Sequence, residues 1–175
     1  GFGGALVEDL PAGAVVLATR LRLEDEAETP LVTDEGLLAR LTAAAGPDAG
    51  ARHGTSVTAT RLVTEPAQRL RLGRRFDAQV VDMEGYWLAR EAVATGVPFV
   101  SVRAVSDTVH DHHPVLEEAL GSGTMSLSRL ARGYAARPLQ LARLPRLLGN
   151  TRTAADALAR FGAAATRALP PEVVA

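Results

Sequence analysis

Between Val80 and Asp111 the chain reads VVDMEGYWLAREAVATGVPFVSVRAVSDTVHD, and no other stretch limits the fold so sharply. Two short apolar runs, residues 78–81 and 99–105, flank residues 84–94, which have the length and composition of one helix. Gly96 ends that helix and Pro98 keeps it from continuing. The second run is apolar on both faces apart from Ser101 and Arg103, as expected of a strand buried from both sides. Strand, helix, strand in this order predicts a βαβ unit with two parallel, adjacent strands. The surrounding chain then predicts one α/β domain of three layers, α/β/α, with a mixed, mostly parallel central sheet.

Each apolar run ends in a carboxylate. In a βαβ unit the strand ends that precede helices share one sheet edge, where ligands bind. Glu84 and Asp107 are therefore expected on the same rim, within reach of one small molecule. Glu84 also falls near a helix N-terminus, where backbone N–H groups favour its ionised form, and an ionised carboxylate suits a vicinal diol. Asp107, at the mouth of a drier cleft, is suited to hold or share a proton with a ring nitrogen, which needs a raised pKa or a shared hydrogen. Met83 offers a soft, unbranched surface for the face of a sugar. Spacing alone equally allows a plainer arrangement, with Glu84 as a helix cap, Asp107 in a turn and Met83 in the core.

Composition narrows the class. Of 175 residues 47% are apolar and only 4% aromatic, which fits a globular chain with small-residue helix packing. There is no cysteine, so disulfides and thiolate metal sites are out of reach. No run is long and apolar enough to cross a membrane, and no basic-then-apolar leader opens the sequence, so a cytoplasmic setting is expected. A net charge of −1 argues against broad nucleic-acid binding. All 19 basic residues are arginine, and eight of them fall in residues 129–175 against Asp156 and Glu172. That skew, like the acidic LEDEAE at 23–28, reads first as a solvated face.

Elsewhere GFGG and PAG predict a loop, followed by a strand at 15–18. Asp34 is placed to cap a helix running to Ala45, with Leu37, Leu38 and Leu41 on one stripe. HGTSVTATRLVT predicts a strand pair or one bent strand, with Ser56, Thr58 and Thr60 alternating along it. Residues 68–75 predict a short helix or turn whose arginines face water. Helices follow at 114–120, 124–135, 138–148 and 151–168, and the Pro-Pro at 170–171 belongs to a tail, residues 169–175.

His110, Asp111, His112 and His113 make a polar knot just past Asp107. Zinc would need further ligands, and the chain offers only His53 besides, so no metal site is expected and a mobile loop near the cleft is. Arg103, inside a strand, needs a partner if buried: a carboxylate, or a phosphate it would orient. GFGG lacks a complete G-x-G-x-x-G opening a helix, and no Walker A sequence is present, so NAD and ATP are not expected.

Taken together, GFGGAL, the PAG turn before VVLAT, the Met83-Glu84 strand end and the Ser106-Asp107 strand end resemble the C-terminal signature of the nucleoside phosphorylase and nucleosidase superfamily. The resemblance implies that Glu84 binds ribose hydroxyls, that Met83 lies against the sugar, and that Asp107, supported by Ser106, protonates N7 of a departing purine. It also implies that Phe2, Gly3 and Gly4 lie against the base. The resulting expectation is cleavage of a purine N-glycosidic bond, with Arg103 also at the substrate, no cofactor, and inorganic phosphate as co-substrate if the reaction is phosphorolysis. Two departures stand out: Gly85 is followed by the bulky Tyr86 and Trp87, whose rings are expected against the sheet or at an apolar mouth. The family's first strands and early glycine-rich loop are also absent. Residues 1–168 thus resemble the C-terminal two thirds of one phosphorylase/hydrolase-like domain, N-terminally incomplete, so these 175 residues alone are expected to turn over weakly or not at all.

The tail RPLQLARLPRLLGNTRTAADALARFG resembles that of hopanoid-associated phosphorylases, linked to adenine release from adenosylhopane. This implies transient contact of arginine-rich helices with a membrane surface. Methylthioadenosine or adenosylhomocysteine nucleosidase is the nearest alternative, and a truncated, inactive relative serving as a binding or structural protein is another. A homo-oligomer is expected, since relatives associate and an incomplete sheet leaves apolar area to cover.

Overall fold

The structure, a computed structural model, describes residues 1–25, 28–46, 51–120 and 127–169. Expectations for residues 26–27, 124–126 and 170–175 lie outside these. Among the described residues, six strands form one mixed sheet: β1 (Phe2–Ala5), β2 (Val15–Leu23), β3 (Leu31–Val32), β4 (Arg52–Thr58), β5 (Val80–Asp82) and β6 (Val102–Asp107). The described residues also form seven helices: α1 (Glu35–Ala45), α2 (Pro66–Phe76), α3 (Gly85–Thr95), α4 (Pro114–Leu120), α5 (Leu127–Ala136), α6 (Pro138–Leu141) and α7 (Leu144–Ala168). The α/β class and the mixed sheet are as expected.

The strand order is β3-β2-β4-β5-β1-β6, and β2 also pairs with β6. One edge of β2 meets β4 in parallel; its other edge meets β6 through Val15–Leu17 and then β3 through Arg20 and Leu21. The sheet thereby closes on itself, which leaves no free edge among the five strands of the ring. Beyond this closing pairing, β2 carries an irregularity between Ala18 and Arg20. The extra residue lets Ala18 and Leu21, an odd number apart, pack on the same side beside Tyr86 and Ala89 of α3. Val15 and Leu17 point the other way, against Leu41 of α1 and Ala157, Phe161 and Ala165 of α7. Val57 and Val81 share that outer side with Leu72 and Phe76 of α2.

One topological expectation is overturned. The strands of the Val80–Asp111 segment are not parallel neighbours: β1 lies between them, antiparallel to β5 and parallel to β6. Apolar periodicity reports which residues are buried but not which edge a strand joins, and here β6 returns in the opposite direction to close the ring. The GFGG segment is correspondingly the strand β1 rather than a loop.

Local readings fared better where caps decide. Asp34 accepts a hydrogen bond from the Leu37 backbone N–H at 2.6 Å and starts α1. Gly96 ends α3 with φ of 70°, a conformation that costs a residue bearing Cβ. HGTSVTATRLVT is one strand, β4, followed by an irregular segment. Beyond Pro145, α7 runs unbroken through Gly149 and Asn150, where two helices were expected. Thr151 and Thr153 donate their hydroxyls to carbonyls one turn back, at 2.8 and 3.0 Å, and so stay within the helix.

Candidate active site

Although β5 and β6 run in opposite directions, their carboxylates border one cleft, and the register explains why. Gly4 of β1 is paired with Val81 on one side and Asp107 on the other. Two strand spacings, about 10 Å, separate Val81 from Asp107, a distance of nucleoside size. The cleft holds about 360 Å³ and is lined by Phe2, Gly3, Gly4, Arg61, Leu62, Val63, Arg69, Asp82, Met83, Glu84, Arg103, Ser106 and Asp107 among others. Every residue expected at the site is therefore brought to its wall.

A second irregularity aims Asp107. Gly3 pairs with Val105 but Gly4 pairs with Asp107, so Ser106 is an extra residue in β6. Strict alternation would put Asp107 on the side of Arg103 and Val105. The bulge turns it to the side where a Cβ on Gly4 would point, 3.0 Å from Asp107 Oδ2 and 3.2 Å from Arg69 Nη2. The Ser106 hydroxyl donates to Asp107 Oδ1 at 2.6 Å. Arg69 donates to Oδ2 from a side chain that is 1% exposed. Its Nε and Nη1 donate to the carbonyls of Val63 and Thr108, at 2.9 and 2.6 Å. The expectation that the arginines of this helix face water is thus wrong for Arg69. Its position in the first turn of α2 is fixed by Glu65, whose carboxylate caps the N–H groups of Ala67 and Gln68, and by Pro66.

On the other wall, Asp82 is the hub. Its fully buried side chain accepts from Ser56 Oγ (3.0 Å), Thr58 Oγ1 (2.7 Å), the Gly85 N–H (2.9 Å) and Arg103 Nε (2.8 Å). Arg103 thus has the carboxylate partner expected of it, and the Ser56–Thr58 alternation is explained as support for that carboxylate. Thr58 Oγ1 also accepts the Tyr86 N–H at 2.8 Å, so the start of α3 hangs from this cluster. Gly85 is required there, because a Cβ would collide with Asp82 and approach Arg103. Glu84 occupies the N-cap position of α3 but makes no side-chain cap bond, and its exposed carboxylate stays available to a ligand. Met83 is 40% exposed beside it, not in the core. Tyr86 is buried among Ala18, Leu21 and Leu23 and donates its hydroxyl to the Thr29 carbonyl at 2.8 Å; burial raises its pKa above the usual value. Trp87 meets Tyr86 edge-on, with the Arg90 guanidinium 4.7 Å from its ring centre.

The polar knot beyond Asp107 divides. His110 pairs with Glu8 at 2.5 Å and His53 with Thr42 at 2.7 Å, both exposed. Asp111 turns inward: its carboxylate accepts from the Thr108 N–H (2.9 Å) and hydroxyl (2.8 Å), Asn150 (3.2 Å) and Arg146 (3.0 Å). Burial alone would push its pKa up, but the Thr108 hydrogen bonds and Arg146 bring it below the usual value. The loop after β6 is thus tied to α7. Burial lowers the His113 pKa despite the pull of Asp107 and Asp111, and its Nε2 has no partner among the described residues. Those residues contain no cluster of three or more metal-ligating side chains.

Fold and cleft together define an α/β chain whose mixed sheet carries a cleft of small-molecule size lined by β1, β5 and β6. It superposes on a 5′-methylthioadenosine/S-adenosylhomocysteine nucleosidase from Neisseria meningitidis with a TM-score of 0.68, at 20% identity, over 97% of this chain and 68% of the other. It superposes on a futalosine hydrolase mutant of Helicobacter pylori with a TM-score of 0.59, at 22% identity, over 75% and 65%. The chain belongs to the Phosphorylase superfamily, whose profile matches residues 1–133. It is also similar to a futalosine hydrolase from Streptomyces coelicolor, 33% identical over 147 residues, covering 75% of this chain and 63% of that protein. The chain spans about two thirds of the length of these relatives.

Sequence reasoning missed Arg69, Asp82 and the bulge at Ser106. The Glu65-Pro66 helix start was a usable signal for α2, but not for which of its arginines turns inward. The alternating Ser56 and Thr58 were a usable signal for Asp82, since paired hydroxyls on a buried strand need an acceptor. A bulge leaves no such trace.

Proposed function

We propose that the intact protein containing this chain hydrolyses the N-glycosidic bond of a purine nucleoside. The observation that carries this reading is the placement of Asp107 and Glu84 on one nucleoside-sized cleft, with Met83 exposed beside Glu84 and Phe2, Gly3 and Gly4 of β1 running between β5 and β6. The C1′–N9 bond breaks with its electron pair passing to the base, and positive charge develops on the ribose. Water adds at C1′; its oxygen and one hydrogen remain there, and its other proton balances the proton gained by the purine. Asp107 accepts two donors and keeps lone pairs for a proton shared with N7. Glu84 accepts the 2′- and 3′-hydroxyls, and its charge steadies the cationic ring. Water rather than phosphate as nucleophile is favoured by the 33%-identical relative, which is a hydrolase by name.

A narrower reading, release of adenine from an adenosylated hopanoid, draws on the exposed Leu127, Leu139, Leu141 and Leu148 set among arginines on α5–α7. That surface suits a lipid-borne substrate. One substrate panel tests both readings: adenosine, methylthioadenosine, futalosine and an adenosylated hopanoid, with free base measured with and without phosphate. Base release that does not depend on phosphate supports hydrolysis. Release only with phosphate replaces it with phosphorolysis, and release from the hopanoid alone selects the narrower reading.

A further inference from the structure

We infer that Arg69 is a positioning residue that sets the width of the base slot and the aim of Asp107; the inference rests on the purine reading above. The Arg69 guanidinium joins three parts of the chain: its own helix α2, the irregular segment after β4 and the end of β6. Nε takes the Val63 carbonyl, in the irregular segment that forms one side of the cleft with Arg61 and Leu62. Nη1 and Nη2 take the Thr108 carbonyl and the Asp107 carboxylate, at the end of β6 on the other side. A planar fork reaches all three acceptors at once from a fixed helix turn, whereas a lysine ammonium presents one point charge and cannot. The Arg69 side chain, 1% exposed at the cleft wall, acts on a ligand through Asp107. The absence of a side chain at Gly4 leaves the room in which the guanidinium and the carboxylate meet.

With Oδ1 fixed by Ser106 and Oδ2 by Arg69, the Asp107 carboxylate cannot rotate, and its remaining lone pairs keep one direction. The benefit falls on leaving groups that need a proton partner at N7. A leaving group that stabilises its own charge, such as 4-nitrophenolate, has no use for it. This difference separates positioning from mere support of the fold.

The test uses the intact protein as wild type, Arg69→Lys, Arg69→Met, Gly4→Ala and Asp107→Asn. Rates are measured on the purine nucleoside that turns over best and on 4-nitrophenyl β-D-riboside, with thermal unfolding as a check. Arg69→Lys and Arg69→Met are expected to lose about 100-fold in kcat on the purine, with KM changing much less. On the nitrophenyl riboside the loss is expected to stay under about tenfold, the selective pattern expected of Asp107→Asn. Gly4→Ala removes no polar group, and its added Cβ comes 3.0 Å from Asp107 Oδ2 and 3.2 Å from Arg69 Nη2. It is expected to show the same selectivity at smaller size, and it carries the test if Arg69→Met does not fold. Equal losses on both substrates by folded Arg69→Lys and Gly4→Ala would make the role structural and overturn the inference, as would a wild-type purine rate in Arg69→Lys. A wild-type protein that cleaves only the nitrophenyl riboside would instead overturn the purine reading, and the positioning role with it.

Discussion

Asp82 and Asp107 are both carboxylates beside an arginine, yet their surroundings give them different work. Asp82 spends its oxygens on four protein donors and is sealed from solvent, so it has nothing left for a ligand. Asp107 has two donors and lies on the cleft wall. Replacing Asp82 by alanine strands the buried Arg103 and frees the start of α3, at a cost of about 3–5 kcal/mol. Denaturant unfolding of Asp82→Ala against wild type measures it, and a loss below about 1 kcal/mol would show that water replaces the carboxylate freely. Glu84→Gln should leave stability within about 0.5 kcal/mol, because the exposed side chain makes no cap hydrogen bond to lose. Its kcat should nevertheless fall by about 100-fold or more, since the charge opposite the developing cation is gone. A fall in stability that tracks the fall in rate would assign Glu84 to the fold instead.

At the scale of elements, helices were legible wherever a cap or breaker marks an end: Asp34, Gly96 and Pro114 each stand where a helix starts or stops. Strand pairing was not legible. The alternation of apolar residues in 78–81 and 99–105 is the same whether those strands are neighbours or are parted by β1, so the parallel pair inferred from it was wrong. The shared cleft survived that error because it depends on the Gly4 row, not on a common strand direction. The split of α7 failed for a local reason: Gly149 lowers helix propensity by about 1 kcal/mol, and tertiary contacts of Ala154, Ala157 and Phe161 outweigh it. Of the site, the carboxylates were visible as residues that end apolar runs. Arg69 was invisible because a helix with several arginines looks solvated whichever one turns inward. The Gly96 end of α3 offers a direct check, since its φ of 70° strains any residue with a Cβ. Gly96→Ala should cost about 1 kcal/mol, read as a lowered unfolding midpoint, and no change would mean the turn has another conformation in solution.

Over the whole molecule, closure of the sheet, the α7 brace and the cleft are linked through the segment Asp107–Asp111. Arg69 ties it to α2 on one side, and Asp111 ties it to Asn150 and Arg146 of α7 on the other. Acid should loosen this join. The His113 pKa is lowered from 6.5 by burial, so its neutral form contributes stability that is complete above about pH 6.5 and is lost as pH falls through the folded-state value. Asp107 and Asp111 pull its pKa up while Arg69 and His112 push it down; burial outweighs the carboxylates. The Asp111 pKa is also lowered, so its contribution is present above about pH 4 and disappears at lower pH. The unfolding midpoint should therefore fall between pH 7 and pH 5, and less so in His113→Gln; an equal fall in both would remove His113 as the cause. The most direct test of the whole account is single-turnover base release from a purine nucleoside by the intact protein, compared between wild type and Asp107→Asn. Release by wild type with a loss of about 100-fold or more in a folded Asp107→Asn is the predicted result. Equal rates in the two proteins, or no base released by wild type from any purine nucleoside, would contradict it.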